Sequence, residues 1–330
     1  MTGKNENSER GTDEDRAHDV VVIGGGAAGL SAALVLARAR RRVAVVDEGS
    51  PRNAPASHMH GFLSRDGMPP RELLARGREE IAGYGAVLLD ARVARVENEG
   101  PVFRIGLVGG STLKTRRVLF ATGLRDEIPA LPGLRERWGR DVLHCPYCHG
   151  YEVRDQPIGV LGNPEGHMPG LSVHQALLVR QWSHDVVLFA HTLTLSAQER
   201  EQLEARGVRV VEGVVDRLVA EGDGTRLTGV RLADGTVVER TAVFVGPRFV
   251  PHDSLLTALG CATGDDGWPS VDESGRTSVP GVWAVGNVTD PRMQVITAAG
   301  AGSTAAIALN VDLLHEEVAR AVEERRTDRP

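Results

Sequence analysis

The stretch from Asp19 to Asp47 does most to restrict what this chain can fold into. Asp19 to Ile23 is a short apolar run of Val and Ile, the composition of a parallel strand buried on both faces. Gly24-Gly25-Gly26-Ala27-Ala28-Gly29 follows at once, and Leu30 to Arg40 is rich in the helix formers alanine and leucine. A GxGxxG set between strand and helix is a dinucleotide-binding fingerprint. Gly24 permits the tight turn, Gly26 lets the backbone approach a pyrophosphate, and Gly29 lets helix and strand pack closely. An anion then sits on free backbone N–H groups at the positive end of the helix dipole, with Ala27 and Ala28 of the turn among the candidate cofactor contacts. A second strand, Arg42 to Val46, ends in Asp47, roughly 20 residues on, where an acid takes a ribose hydroxyl. An α/β, doubly wound domain holding a dinucleotide is therefore expected.

At 330 residues the chain is long for one hydrophobic core, so two domains are expected. Its net charge of −6, with both signs mixed, excludes the electrostatic footprint of a nucleic-acid binder. Residues 1–17 are polar and charged, lack the apolar centre of a signal peptide, and read as a disordered tail. No apolar run approaches the ~18–20 residues that cross a bilayer, so no membrane association and a cytoplasmic location are expected.

The second informative stretch is His144-Cys145-Pro146-Tyr147-Cys148-His149. Two thiols held this close can form a disulfide, and histidine cations beside them would depress the thiol pKa and supply a reactive thiolate. CxxC also begins zinc sites, and CxxCH is a haem attachment signal. Zinc needs further ligands, yet the one other cysteine, Cys261, stands alone and reads as a small buried hydrophobe. A haem of that type demands export. In a cytosolic chain the redox reading leads, and no metal is expected.

Two further segments bear on the nucleotide. Phe120-Ala121-Thr122-Gly123 closes another apolar strand. Gly281 to Val285 is a strand running into Gly286-Asn287, and a small-residue helix starts near Gln294 and Val295. Remote segments converging on one cofactor suit a long molecule such as FAD. An Asn287 amide at the turn could bond ribityl hydroxyls, and a helix N-terminus at Val295 would favour negative charge on a reduced flavin ring.

GxGxxG, Ala-Thr-Gly, CxxC, then Gly-Asn-Val before Gln-Val-Ile-Thr-Ala-Ala-Gly resembles, in that order, the low-molecular-weight thioredoxin reductases. The resemblance runs from Asp19 to about Leu314. It implies two Rossmann-like domains, an FAD-binding one split around a CxxC-bearing pyridine-nucleotide-type one, assembled as a homodimer. The boundaries so implied are 18–125 and 249–320 for the FAD-binding domain and 126–248 for the CxxC-bearing domain, with 321–330 a charged tail. It also implies that Arg52, Asn53 and His60 lie where such proteins line the flavin, with Ala121, Gly123, Gly286, Asn287, Gln294 and Val295 as further cofactor contacts.

The chain departs from that family in two places. Ile158 to Gly162 resembles the strand of a second nucleotide site, but Asn163-Pro164-Glu165-Gly166-His167-Met168-Pro169-Gly170 contains no GxGxxG or GxGxxA. Two prolines lack backbone donors there, and Glu165 brings a negative charge to where phosphate would approach. The next strand ends in His191-Thr192 rather than an arginine pair. Ordinary NADPH binding is therefore expected to be impaired. In addition, His149 follows the second cysteine where thioredoxin reductases commonly carry an acid. Cys-Pro-Tyr-Cys-His-Gly-Tyr-Glu with a degraded nucleotide loop is similar to the FAD-dependent dithiol oxidases of the gliotoxin and holomycin type.

The resemblance implies that a substrate thiol, deprotonated by His149, attacks Cys145, and that a second thiol resolves the mixed disulfide. Cys148, on the flavin side by resemblance, passes the electrons to FAD, and dioxygen is reduced to hydrogen peroxide. His144 is a further acid–base candidate or a structural residue. The expected partners are a small-molecule dithiol or disulfide and O2. The alternatives are an NADPH-dependent reductase acting on a thioredoxin-like protein, and a flavin redox sensor without turnover.

Overall fold

The computed structural model describes residues 17–222 and 224–327, so the expected tail lies, but for Ala17, outside the described residues. The chain divides into two compact units, one of residues 1–50, 74–123 and 252–330 and one of 51–73 and 124–251. The segment 51–73, which includes the expected flavin-lining residues Arg52, Asn53 and His60, is grouped with the second.

The first unit is built on the strand His18–Ile23. It pairs in parallel with Val43–Asp47 on one side and Thr112–Phe120 on the other. Val87–Asp90 extends the sheet beyond the former and Val282–Ala284 beyond the latter, both in parallel. An antiparallel meander of Val93–Asn98 and Phe103–Leu107 joins at the start of Thr112–Phe120. Val20, Val21 and Val22 are all fully buried, because helices cover one face and the Ile105–Val118 side of the core covers the other. Two helices meet on the first face, Ala27–Arg38 and Val295–Thr327. Small residues let them approach closely: a Cβ at Gly302 would lie 2.0 Å from the Ala28 carbonyl oxygen.

The helix Val295–Thr327 takes in residues 321–327, where the charged Glu316–Arg326 pattern reads as helical. By length and composition it is also long and apolar enough to cross a membrane, contrary to the expectation that no run here is. Part of its apolar surface is accounted for within the unit, where Ala298, Ala305, Ala306, Leu309 and Leu313 are buried against Ala32, Ala33 and Leu36. Its Asp312 and Glu316 pair with Arg117, and Glu317 with Arg41 and Arg116.

The second unit holds an all-parallel sheet in the order Arg209–Val211, Val186–Phe189, Ile158–Leu161, Ala242–Val245, Val142–Leu143. The helices Leu171–Val179 and Ala197–Ala205 cover one face through Val173, Ala176, Val179 and Leu203. A three-stranded antiparallel sheet, 215–239, covers the other through Val215, Leu218, Leu227 and Val230. Leu124–Glu127 and Arg248–Pro251 form an antiparallel ribbon where the chain enters and leaves the unit. Both units are Rossmann-like.

Candidate active site

In the first unit the glycine turn has the geometry a dinucleotide needs. Gly24 sits at φ +106°, and a Cβ there would lie 2.3 Å from the Ala121 carbonyl oxygen. A Cβ on Gly29 would fall 1.9 Å from the Gly24 carbonyl oxygen, so only glycine lets the helix seat on the strand. Gly26 is open, with nothing within 4 Å of its Cβ position, which leaves its backbone free for a phosphate to approach. Ala27 and Ala28 begin the helix, earlier than the Leu30 start expected, with no side chain capping its first N–H groups.

Asp47 ends its strand beside this turn, and two neighbours escaped the sequence reading. A Cβ on Gly25 would lie 2.8 Å from the Asp47 carboxylate, so Gly25 makes room for that group. Arg78, on the helix Pro70–Gly83, pairs with Asp47 and with Asp90 at 2.9 Å. No motif marks it, because the contact joins residues 31 apart through tertiary packing.

Ala121 donates to the Ile23 carbonyl at 2.8 Å, and Gly123 follows at φ +69° with open space around it. Gly286 also needs positive φ, +79°, with Ala28 Cβ 3.0 Å from its Cβ position. The Asn287 amide nitrogen donates to the carbonyls of Asp290 and Met293, each at 3.0 Å. Those donors therefore hold the turn that launches the next helix, rather than pointing at a ligand. The Gln294 carbonyl accepts from Ala298 and from the Thr297 hydroxyl, which starts the helix at Val295. A cradle with these open and crowded positions fits a dinucleotide such as FAD.

In the second unit Cys145 and Cys148 form a disulfide with their Cα atoms 5.3 Å apart. Cys145 precedes the short helix Pro146–His149, and its carbonyl accepts from the N–H groups of Cys148 and His149. Proline at the first helical position needs no donor and has its φ preset for the turn. Gly150 ends the turn against Trp182, whose ring leaves no room for a Cβ.

Both flanking histidines are less basic than an ordinary imidazole. Burial pushes His144 down to about 4, with the Arg52 charge acting the same way. Burial also lowers His149, opposed by the Glu152 carboxylate and reinforced by His60. The expectation of histidine cations beside the cysteines is thus not supported: burial disfavours the charged form of both rings. A neutral imidazole can accept a proton, and the His149 Nδ1 is buried without a hydrogen-bond partner.

Arg52 and His60 lie in this unit, where they hold structure around the disulfide. Arg52 grips Asp126 with two bonds of 3.0 and 2.7 Å and lies 5.0 Å over the Phe249 ring. Phe249 in turn contacts the rings of His144 and His167. His60 sits between Asp66 at 3.3 Å and Glu152 at 3.4 Å. The Asn53 carbonyl accepts from Ala56 in the adjoining turn. Among the described residues no group of three His, Cys, Asp or Glu side chains is placed to hold a metal ion.

In the loop after Ile158–Leu161 most backbone donors are bonded to protein acceptors. Asn163 donates its backbone N–H to Ser172 Oγ and its side-chain amide to the Gly246 carbonyl. The N–H groups of Glu165 and Gly166 turn back to Asn163, that of His167 donates to Pro247, and that of Leu171 to Met168. Pro164 and Pro169 have none to give. His191, at the position of a phosphate-binding arginine in a nucleotide site, accepts the Val215 N–H on its Nδ1 at 3.0 Å.

A family model described as pyridine nucleotide-disulphide oxidoreductase matches residues 18–302. A protein of Arthroderma benhamiae named "Probable thioredoxin reductase" is 31% identical, over 94% of this chain and 84% of its own length. The crystal structure of HlmI is 62% identical with a TM-score of 0.90, covering 94% of this chain and 97% of its own. That of an oxidoreductase from Agrobacterium tumefaciens is 35% identical with a TM-score of 0.83, covering 91% and 99%.

Proposed function

This chain belongs to the pyridine nucleotide-disulphide oxidoreductase family, and on that premise we propose that it is a dithiol oxidase. It is a thioredoxin reductase-like, FAD-dependent disulfide oxidoreductase. The finer reading is that it forms a disulfide in a small-molecule dithiol, with O2 as acceptor and hydrogen peroxide as product. The observation that carries the direction is the loop at 163–171. The N–H groups of Asn163, Glu165, Gly166, His167 and Leu171, which in a nucleotide site would face a pyrophosphate, donate to Ser172, Asn163, Pro247 and Met168 instead. A backbone donor already bonded to protein cannot hold a phosphate without losing that bond.

The first step falls to His149, which takes the proton of a substrate thiol. The thiolate then attacks Cys145 Sγ; a substrate–Cys145 bond forms, the Cys145–Cys148 bond breaks, and Cys148 leaves as thiolate. The second substrate sulfur, once deprotonated, attacks the first. This closes the product disulfide and releases Cys145, so two electrons pass from substrate to the cysteine pair. Bound FAD supplies the two-electron acceptor for the reduced pair and the reactivity toward dioxygen. The open backbone at Gly26 and the helix start at Ala27 and Ala28 would hold its pyrophosphate, on a turn shaped by Gly24 and Gly29, and Asp47 its ribose; Cys148 is the cysteine assigned to its side.

A homodimer is part of the proposal. Ile307, Val311, Leu314, Val318 and Val322 are exposed along Val295–Thr327 at spacings of four, three, four and four, a stripe suited to a second copy. Cytoplasmic residence is likewise proposed, since a catalytic rather than structural CxxC suits a reducing compartment.

The test is anaerobic bleaching of the flavin by dithiothreitol against NADPH, followed by oxygen uptake and peroxide release in air. Bleaching by the dithiol alone, lost in Cys145→Ser, is expected. Bleaching by NADPH would move the chain to the reductases that its relatives' names describe. Slow dithiol consumption indifferent to Cys145→Ser would leave a flavin sensor without turnover.

A further inference from the structure

The helix Leu171–Val179 buries the apolar residues Val173, Ala176 and Val179, but it also buries two polar side chains, Ser172 and Gln175, each 3% exposed. Three residues apart, these two lie on one face. Ser172 Oγ accepts the Asn163 N–H at 3.0 Å, which ties the helix to the altered loop. Gln175 Nε2 donates to the His144 carbonyl at 2.5 Å. That carbonyl shares a rigid peptide plane with the nitrogen and Cα of Cys145, so a hold on the one is a hold on the other. Gln175 Oε1 is buried with no hydrogen-bond partner among the described residues. A buried acceptor left unpaired destabilises a fold, and an apolar side chain of the same length would avoid it. The interaction that offsets it is the bond to His144. The altered loop reaches His144 by a second route, since the His167 ring lies 4.9 Å from that of Phe249, which meets the His144 ring edge-on at 5.5 Å.

We infer that Gln175 is a positioning residue for the redox pair: it holds Cys145 through the His144 carbonyl and thereby favours the disulfide over the dithiol. The direction follows from what restrains each state. In the oxidised pair the sulfur–sulfur bond already ties Cys145 to Cys148, with their Cα atoms 5.3 Å apart, so release of the carbonyl frees little. In the reduced pair that tie is gone, and the hold on Cys145 keeps one thiol close to the other. Releasing it lowers the effective concentration of each thiol at its partner, which shifts the balance toward the dithiol. The same restraint acts whichever way the electrons run, so the inference stands apart from the dithiol oxidase reading.

The experiment equilibrates the FAD-loaded protein anaerobically in buffers of graded reduced-to-oxidised glutathione. Samples are quenched with acid and alkylated, and the mass of the peptide holding both cysteines gives the fraction reduced. Gln175→Met keeps the length of the side chain and removes the donor. Its pair should be half-reduced in a buffer about fivefold less reducing than the wild type needs, the scale of one hydrogen bond. Ser172→Ala cuts the helix from the loop while leaving Gln175 in place, and should move the midpoint in the same direction by less. Gln181→Met changes an exposed glutamine just beyond the same helix and should leave it unchanged. A role in stability alone would lower the urea midpoint of Gln175→Met and leave its redox midpoint where it was. That result, or a midpoint moved to more reducing buffer, overturns the inference. If circular dichroism shows Gln175→Met unfolded, an unmoved midpoint in Ser172→Ala overturns it in the same way. None of these outcomes bears on whether dioxygen or a nucleotide stands at the other end of the electron path.

Discussion

His60 Nε2 lies 3.4 Å from Glu152 Oε1, three residues beyond His149, so a histidine and a carboxylate act on His149 with opposite sign. Burial is the larger influence and lowers the basicity of His149, while Glu152 raises it and His60 lowers it. The acid limb of the dithiol reaction should therefore fall below pH 6.5, the ordinary imidazole value. Glu152→Gln should move that limb to lower pH and His60→Gln to higher pH. Rate profiles from pH 4 to 8 check both directions. His149→Ala should lower the rate by about 10²-fold or more and remove the limb. A limb indifferent to all three substitutions would take the base role from His149.

Arg78 is expected to govern how firmly FAD is held. Its guanidinium orients the Asp47 carboxylate, which would receive the ribose hydroxyls. Arg78→Met should raise the FAD dissociation constant about tenfold, the scale of one charge-assisted hydrogen bond at a partly exposed site. Gly25→Ala should do at least as much, because its methyl would press on the same carboxylate. Recovery of flavin fluorescence on dilution measures this without any turnover, and unchanged retention in both variants would refute it.

His144 should make the protein acid-sensitive in a defined window. Its imidazole titrates near 6.5 in the unfolded chain and at about 4 when folded. As pH falls through 6.5 the unfolded chain takes up a proton that the folded chain refuses until about 4. Stability is thus complete above the first value and is lost progressively down to the second, by on the order of 3 kcal/mol. Urea midpoints across this range should slope for the wild type and slope less for His144→Gln. Some slope should remain, since burial lowers His18, His149 and His191 as well.

The exposed stripe on the last helix predicts self-association. Val311→Glu with Val318→Glu places two charges along it and should convert a dimer to a monomer at micromolar concentration, read by sedimentation velocity. A wild-type monomer under the same conditions would end the dimer proposal.

Much of the nucleotide cradle was legible because its causes are local. Gly29 packs on Gly24 while Gly26 between them is left open, so strand, turn and helix reveal them together. The altered loop was legible for the same reason: proline removes a donor wherever it stands. Contacts made by distant segments were not legible. Nothing about Arg78 marks it as the partner of Asp47, and nothing about Arg52 or His60 shows that they hold Asp126 and Glu152. The amide of Asn287 could be recognised as a donor, but its acceptors depend on a turn geometry that composition does not encode. The charge on His144 and His149 was misjudged because residue type sets the ordinary pKa, whereas depth of burial sets the actual one.

The long terminal helix bears on how the chain must be made. Arg41 and Glu317 are bonded at 2.6 Å although 276 residues separate them, and Gly302 lies against Ala28 in the nucleotide-binding turn. A nascent chain that has reached residue 251 already contains every strand of the second unit's five-stranded sheet. Its first unit still lacks the strand Val282–Ala284 and the helix that covers Ala27–Arg38. Domains generally fold as units during synthesis, and contacts of long separation form late. The glycine turn that leaves the ribosome first is therefore among the last parts of the protein to become a binding site. Cofactor capture would follow completion of the chain, and a chain cut short in its final quarter would carry a folded CxxC unit beside an unfinished cofactor site.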